Sequence, residues 1–123
     1  MQNKETVFRR GDLYKETYLN RVLPYPPIKK KFRDFMEIKR ANPNQPFGSS
    51  DKLFLSSGNF INQVPGLRHA HITFDLSIVY KVVGNEIYLY GFFTHDDLGT
   101  GQPPNLNKQK SAAKRLANQT FKE

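Results

Sequence analysis

Apolar residues recur at every second position between Leu67 and Thr94, whereas upstream of Asn42 they recur every three to four positions. A chain that changes period in this way builds helices first and strands afterwards, which is an α+β fold and not an alternating βαβ one. Residues 67–73, 76–83 and 86–94 read as strands rich in β-branched and aromatic residues. Gly84-Asn85 between the last two is a two-residue hairpin turn.

In the helical part, Leu13, Tyr14, Tyr18, Leu19, Val22 and Leu23 follow Asp12, which is placed to act as N-cap. Pro24-Tyr25-Pro26-Pro27 stops that helix and starts a second, because proline suits a first turn and not an interior. Ile28, Phe32, Phe35 and Met36 form its apolar stripe, and Lys29, Lys30, Arg33, Lys39 and Arg40 its other face. Residues 42–50 and 56–59 are loops, and 52–55 a short strand. After a break at 99–104, residues 107–121 form a basic helix whose thin stripe (Ala112, Ala113, Leu116, Ala117) predicts weak docking. The expected architecture is a twisted antiparallel β-sheet packed against an N-terminal helical hairpin, with a C-terminal basic helix. It forms a single domain over 1–123, with its core at about 7–98 and a basic extension at 99–123.

Ten Phe and six Tyr give the core its volume, and the absence of Cys excludes disulfides and thiolate metal sites. No apolar run approaches a membrane span, and Met1 to Arg10 does not read as a signal peptide, so a cytoplasmic protein is expected. Lys and Arg outnumber Asp and Glu by 19 to 11, a formal charge of +8 that favours a nucleic acid or an acidic protein as partner.

Side chains two apart on a strand share a face, so His69 and His71 lie together, opposite Ala70 and Ile72. Setting Thr73 opposite Ser77 pairs His69 with Lys81 and Ala70 with Tyr80. The hairpin likewise pairs Lys81 with Tyr88 and Val79 with Tyr90. One face then carries Ala70, Ile72, Phe74, Tyr80, Val82, Ile87 and Leu89 toward the helices. The other is open and shows His69, His71, Lys81, Tyr88 and Tyr90, while Asp75 and His95 lie just beyond strand ends.

Cleavage of RNA by its own 2′-hydroxyl needs a base, an acid and cations for the phosphorane. His69, His71, Asp75 and His95 are the candidate proton carriers, Arg68 and Lys81 the cations, and Tyr88, Tyr90 and Phe93 the rings on which bases stack. The same residues fit other readings: hydrogen-bonded surface histidines, a turn-forming Asp75, or zinc held by the histidines with Asp96 or Asp97. The basic surroundings disfavour a dication, so no metal or other cofactor is expected.

At these positions the chain resembles the RelE/ParE superfamily of type II toxins, and within it the YafQ-type mRNA interferases. The resemblance rests on Gly66-Leu67-Arg68-His69-Ala70-His71, Asp75-Leu76-Ser77-Ile78-Val79-Tyr80-Lys81 and Thr94-His95, and spans roughly 64–98. It implies a ribosome-dependent endoribonuclease that cuts mRNA in the ribosomal A site, touches ribosomal RNA and is silenced by a cognate antitoxin. Carried over by position, His71, Asp75 and His95 are the motif's acid/base residues. Residues 56–65 lack the further histidine of YafQ-type toxins, and Gly91 stands where an arginine is usual. His69 is the substitute for the first, and Arg68 or Lys81 for the second. The alternatives are a ParE-like toxin acting on a protein such as gyrase, and a non-catalytic RNA-binding protein.

Overall fold

The computed structural model describes residues 5–54 and 64–122. Strand β1 (Val7–Gly11) leads into helices α1 (Asp12–Arg21) and α2 (Pro26–Ala41). Strands β2 (Lys52–Leu53), β3 (Arg68–His71), β4 (Ser77–Val83) and β5 (Glu86–Phe93) follow. A one-turn helix α3 (His95–Leu98), helix α4 (Leu106–Ala117) and strand β6 (Phe121–Lys122) complete the chain. The loop expected at 56–59 lies outside the described residues.

The six strands form one sheet in the order β2-β3-β4-β5-β1-β6, antiparallel except where β1 runs parallel to β5. β1 is the element that periodicity does not show: Val7-Phe8-Arg9-Arg10-Gly11 has no alternation, and its pairing partner lies 79 positions downstream (Val7↔Glu86). The prolines act as expected, with α2 opening on Pro26 and Pro27. Gly11, not Asp12, caps α1, so Asp12 sits in the first turn, where its charge meets the positive end of the helix. Leu19 and Leu23 stay exposed.

The helix face of the sheet is as expected from parity. Ala70, Ile72, Ile78, Tyr80, Ile87, Leu89 and Phe92 pack against Tyr14, Phe32 and Phe35 of the two helices and Val22 at the end of α1. The β3–β4 register is shifted by two from the expected one, with His69 opposite Val79 and Ala70 opposite Ile78. A slip of two keeps every side chain on its face. Phe74, expected in this core, is instead 95 % exposed, because β3 ends at His71 and the chain turns before reaching it.

The opposite face is not open. A bulge in β5 sets Tyr80 opposite Leu89 but Val79 opposite Gly91, leaving Tyr90 as the extra residue. The bulge brings Phe92 back onto the helix face and turns Tyr90 and Phe93 together to the other one. There Ala112, Ala113 and Leu116 of α4 cover them, in a second core with Phe54, Val64, Leu67, Val79 and Leu98. Three of the four stripe residues of α4 therefore dock, the small alanines letting the helix come close to the sheet, while Ala117 stays exposed. The expected helix over 107–121 stops at Ala117, and Phe121 joins a strand whose ring packs on Tyr88 and Tyr90.

Lys39, expected on the solvated face of α2, is 1 % exposed. It lies seven residues after Phe32 and four after Phe35, hence on the buried stripe, and its ammonium bonds Asp51 (2.7 Å) and the Gln45 carbonyl (2.6 Å). Asp51 in turn accepts from the Tyr80 hydroxyl and from Phe47 N–H. This buried pair fastens the 42–51 loop between α2 and the sheet.

Candidate active site

Four of the expected residues converge at one end of β3. His69 and His71 project from the same face, their ring centroids 5.9 Å apart, and His71 lies 5.4 Å from His95. His95 is the first residue of α3. Thr94 caps that helix by accepting from Asp97 N–H (3.1 Å), while the Asp97 carboxylate accepts from Thr94 N–H (3.0 Å). Asp97 is also bound by Arg21 of α1, so it is a structural anchor of the helix start. The signal was present: Thr94-x-x-Asp97 is a capping box.

Asp75, in the β3–β4 turn, joins this group through one oxygen that accepts both from His95 N–H (3.0 Å) and from the His95 ring at Nδ1 (2.7 Å). These two bonds hold the Asp75 carboxyl below its usual range. A carboxylate only accepts, so the proton of this pair sits on Nδ1 of His95 and leaves Nε2 as the reactive nitrogen.

His71 is fixed from the strand edge. β2 begins at Lys52, and two residues before it the Ser50 hydroxyl oxygen accepts from the His71 N–H (3.1 Å) in place of a strand carbonyl. Burial, then the neighbouring His95 and Lys52, lower the His71 pKa and favour its neutral ring; its Nε2 is buried and makes no hydrogen bond. His69 goes further. Burial, with ring contact to Phe54 at 4.5 Å, and then the charges of His71 and Lys52 bring it down to about 4.

The expected cations and rings fare differently. Arg68 lies on the helix side, where its guanidinium reaches the Tyr80 hydroxyl (3.3 Å) and the Asp51 carbonyl (3.2 Å), away from the histidines. Lys81 shares their face but lies four residues along β4 from Ser77, over the Tyr88 ring at 6.0 Å. Tyr90 and Phe93 are buried beneath α4, and half-buried Tyr88 packs on Phe121, so Tyr90 and Phe93 are corrected from base-stacking rings to core residues.

The cation that does reach the site is Lys52, opposite His69 in the β2–β3 register and exposed. No local pattern marks it, because its nearness to His69 depends on a pairing that crosses the 54–67 segment. The arginine position of the motif, Gly91, has no room for a side chain. Its φ is +151°, and a Cβ would fall 2.8 Å from the Phe93 ring and 3.1 Å from Thr17 Oγ1. Among the described residues, no three His, Cys, Asp or Glu side chains are placed to hold one metal ion. Among them, too, no helix is long and apolar enough to cross a membrane.

No protein-family model matches the chain, and no curated protein matches its sequence. Solved structures do. A copper-bound mutant toxin from Helicobacter pylori superimposes with a TM-score of 0.59 at 16 % identity, over 76 % of this chain and 98 % of its own. The E. coli DinJ–YafQ toxin–antitoxin complex matches with 0.57 at 19 %, over 77 % and 98 %. A metal-bound toxin from Helicobacter pylori gives 0.55 at 18 %, over 77 % and 99 %. By its sheet order, its helix pair and the structures it superimposes on, the chain has the RelE-like fold of the YafQ-type toxins.

Proposed function

We propose that this chain is the toxin of a toxin–antitoxin pair and acts as a ribosome-dependent mRNA endoribonuclease. The observation that carries this reading is the meeting of His71, His95 and Asp75, from a strand, a helix start and a turn, on a chain of formal charge +8. The 2′-hydroxyl of one nucleotide attacks the adjacent phosphate and gives its proton to neutral His71. The departing 5′ oxygen takes a proton from Nε2 of His95 in its imidazolium form, whose Nδ1–H is held by Asp75, and the ring is left as the neutral Nδ1–H tautomer. The products are a 2′,3′-cyclic phosphate and a 5′-hydroxyl. Lys52 supplies charge for the phosphorane, and His69, held neutral against Phe54, orients its neighbour His71.

Dependence on the ribosome is supported by the thinness of the site. One exposed lysine beside partly buried histidines holds a phosphodiester weakly, so positioning falls to whatever presents the mRNA. An antitoxin partner is supported by the fold shared with the toxin of the DinJ–YafQ complex. The test is primer extension on a reporter mRNA after induction of wild type, His71→Ala and His95→Ala in parallel. In-frame 5′ ends are expected in the wild type alone. Growth arrest with intact mRNA would place the target elsewhere and overturn the proposal.

A further inference from the structure

Phe74 is 95 % exposed, more than any other large apolar side chain among the described residues. Leaving a phenylalanine in water forgoes the stabilisation that burial of its ring would bring, and a polar residue would serve the same turn. The turn that presents it is firmly built: Ile72 and Thr73 N–H both donate to the Leu76 carbonyl (2.8 and 3.1 Å), and Thr73 Oγ1 accepts from Leu76 N–H (3.0 Å). The ring thus stands on a fixed tip, next in sequence to Asp75 and three residues after His71.

Beside it opens a groove of about 510 Å³ that runs from His71 to α2 and is lined by Phe74, Phe47, Ser49, Ser50 and Lys31. Its lining includes an aromatic face, two hydroxyls and one exposed lysine, and it starts at His71, the residue proposed to be the base. A single-stranded nucleotide combines the matching parts: a planar base for the ring and a phosphate for the ammonium. We propose that this groove is the subsite for the nucleotide adjoining the scissile phosphate on the α2 side. Its base stacks on Phe74 and its outer phosphate meets Lys31. The inference deepens the ribonuclease reading and rests on it for the location of the scissile bond.

The chain contains no tryptophan, so Phe74→Trp places a single indole reporter at the turn. This variant is titrated to millimolar concentration with a 5′-labelled 2′-O-methyl tetranucleotide, which lacks the attacking hydroxyl. Label anisotropy reports binding anywhere on the protein, and indole emission reports stacking at position 74. Saturable quenching is expected. Adding Lys31→Gln should lower the slope of log affinity against log salt by about 0.7, the loss of one phosphate contact to a single strand. Phe74→Ala alone should weaken binding about 5-fold or more.

Saturable anisotropy with unchanged emission overturns the subsite, as does an absence of saturable binding, or emission that changes only on adding an antitoxin. The two proposals separate in their failures. Cleaved mRNA with a silent indole sinks the subsite and keeps the nuclease, whereas a quenched indole with uncut mRNA keeps a single-strand subsite and sinks the nuclease.

Discussion

Replacing Lys39 with methionine removes one half of an ion pair whose side chains are 2 % and 0 % exposed. Asp51 then keeps the Tyr80 hydroxyl, Phe47 N–H and the half-buried Arg68 guanidinium at 3.5 Å but loses its buried ammonium partner, and the Gln45 carbonyl loses a donor. The ammonium also leaves the Tyr80 ring, 4.9 Å away, and the Phe35 ring, 5.5 Å away. Breaking a buried pair on one side costs about 3–5 kcal/mol, since the remaining charge stays desolvated. A domain of this length has roughly 6–18 kcal/mol in all, so the variant should fold with its urea midpoint sharply lowered.

Acidity supplies the second half of the test. Burial alone pushes the Asp51 carboxyl up, but bonds from Lys39, Tyr80 and Phe47 outweigh it and hold the group below 3.8. In the native chain its contribution is therefore complete above about pH 4 and is lost as pH falls through the lowered value. Without Lys39, burial dominates and the carboxyl rises. The penalty is then largest where the carboxyl is ionised and shrinks as pH falls and it takes a proton. Lys39→Met/Asp51→Asn removes both charges, keeps an amide oxygen to accept from Phe47 N–H and turns the amide NH2 toward the Tyr80 hydroxyl as donor, and should recover part of the loss. A cost under about 1 kcal/mol at pH 7, or no recovery in the double variant, refutes the assignment of this pair as a buried charge anchor.

Three further outcomes are expected. His69 titrates in the folded chain near 4 against 6.5 when unfolded, so stability is complete above about pH 6.5 and falls as pH drops toward 4. Discounted for partial exposure, this amounts to about 1–2 kcal/mol, and urea curves of His69→Phe at pH 7 and 4.5 should show that much less acid loss than wild type. Asp75→Asn frees the His95 tautomer and should lower cleavage by at least ~10²-fold without moving the thermal midpoint, because Asp75 is exposed; a wild-type rate would remove it from the mechanism. Gly91→Ala forces a Cβ against the Phe93 ring at positive φ and should cost about 1–3 kcal/mol in a urea melt; a neutral result would mean the bulge relaxes freely.

Local period, taken from the chain alone, determined the class of fold, the hairpin at Gly84 and the sharing of a face by His69 and His71. Parity is robust because even a two-residue slip in β3–β4 returns each side chain to its own face. The motif from Gly66 to His95 likewise named the residues that meet at the site. Contacts between distant segments decided the rest. Whether Tyr90 and Phe93 faced solvent depended on a bulge at Gly91 and on a helix some twenty residues further on, and neither enters a two-residue period. Lys39 became an interior residue because Asp51 was there to receive it, and Lys52 came to the histidines because β2 pairs with β3. Phe74, expected inside, stands outside because β3 ends three residues earlier. Alternation is a property of neighbours along one chain, whereas burial and charge pairing are properties of what another segment brings, and only the tertiary structure supplies that segment.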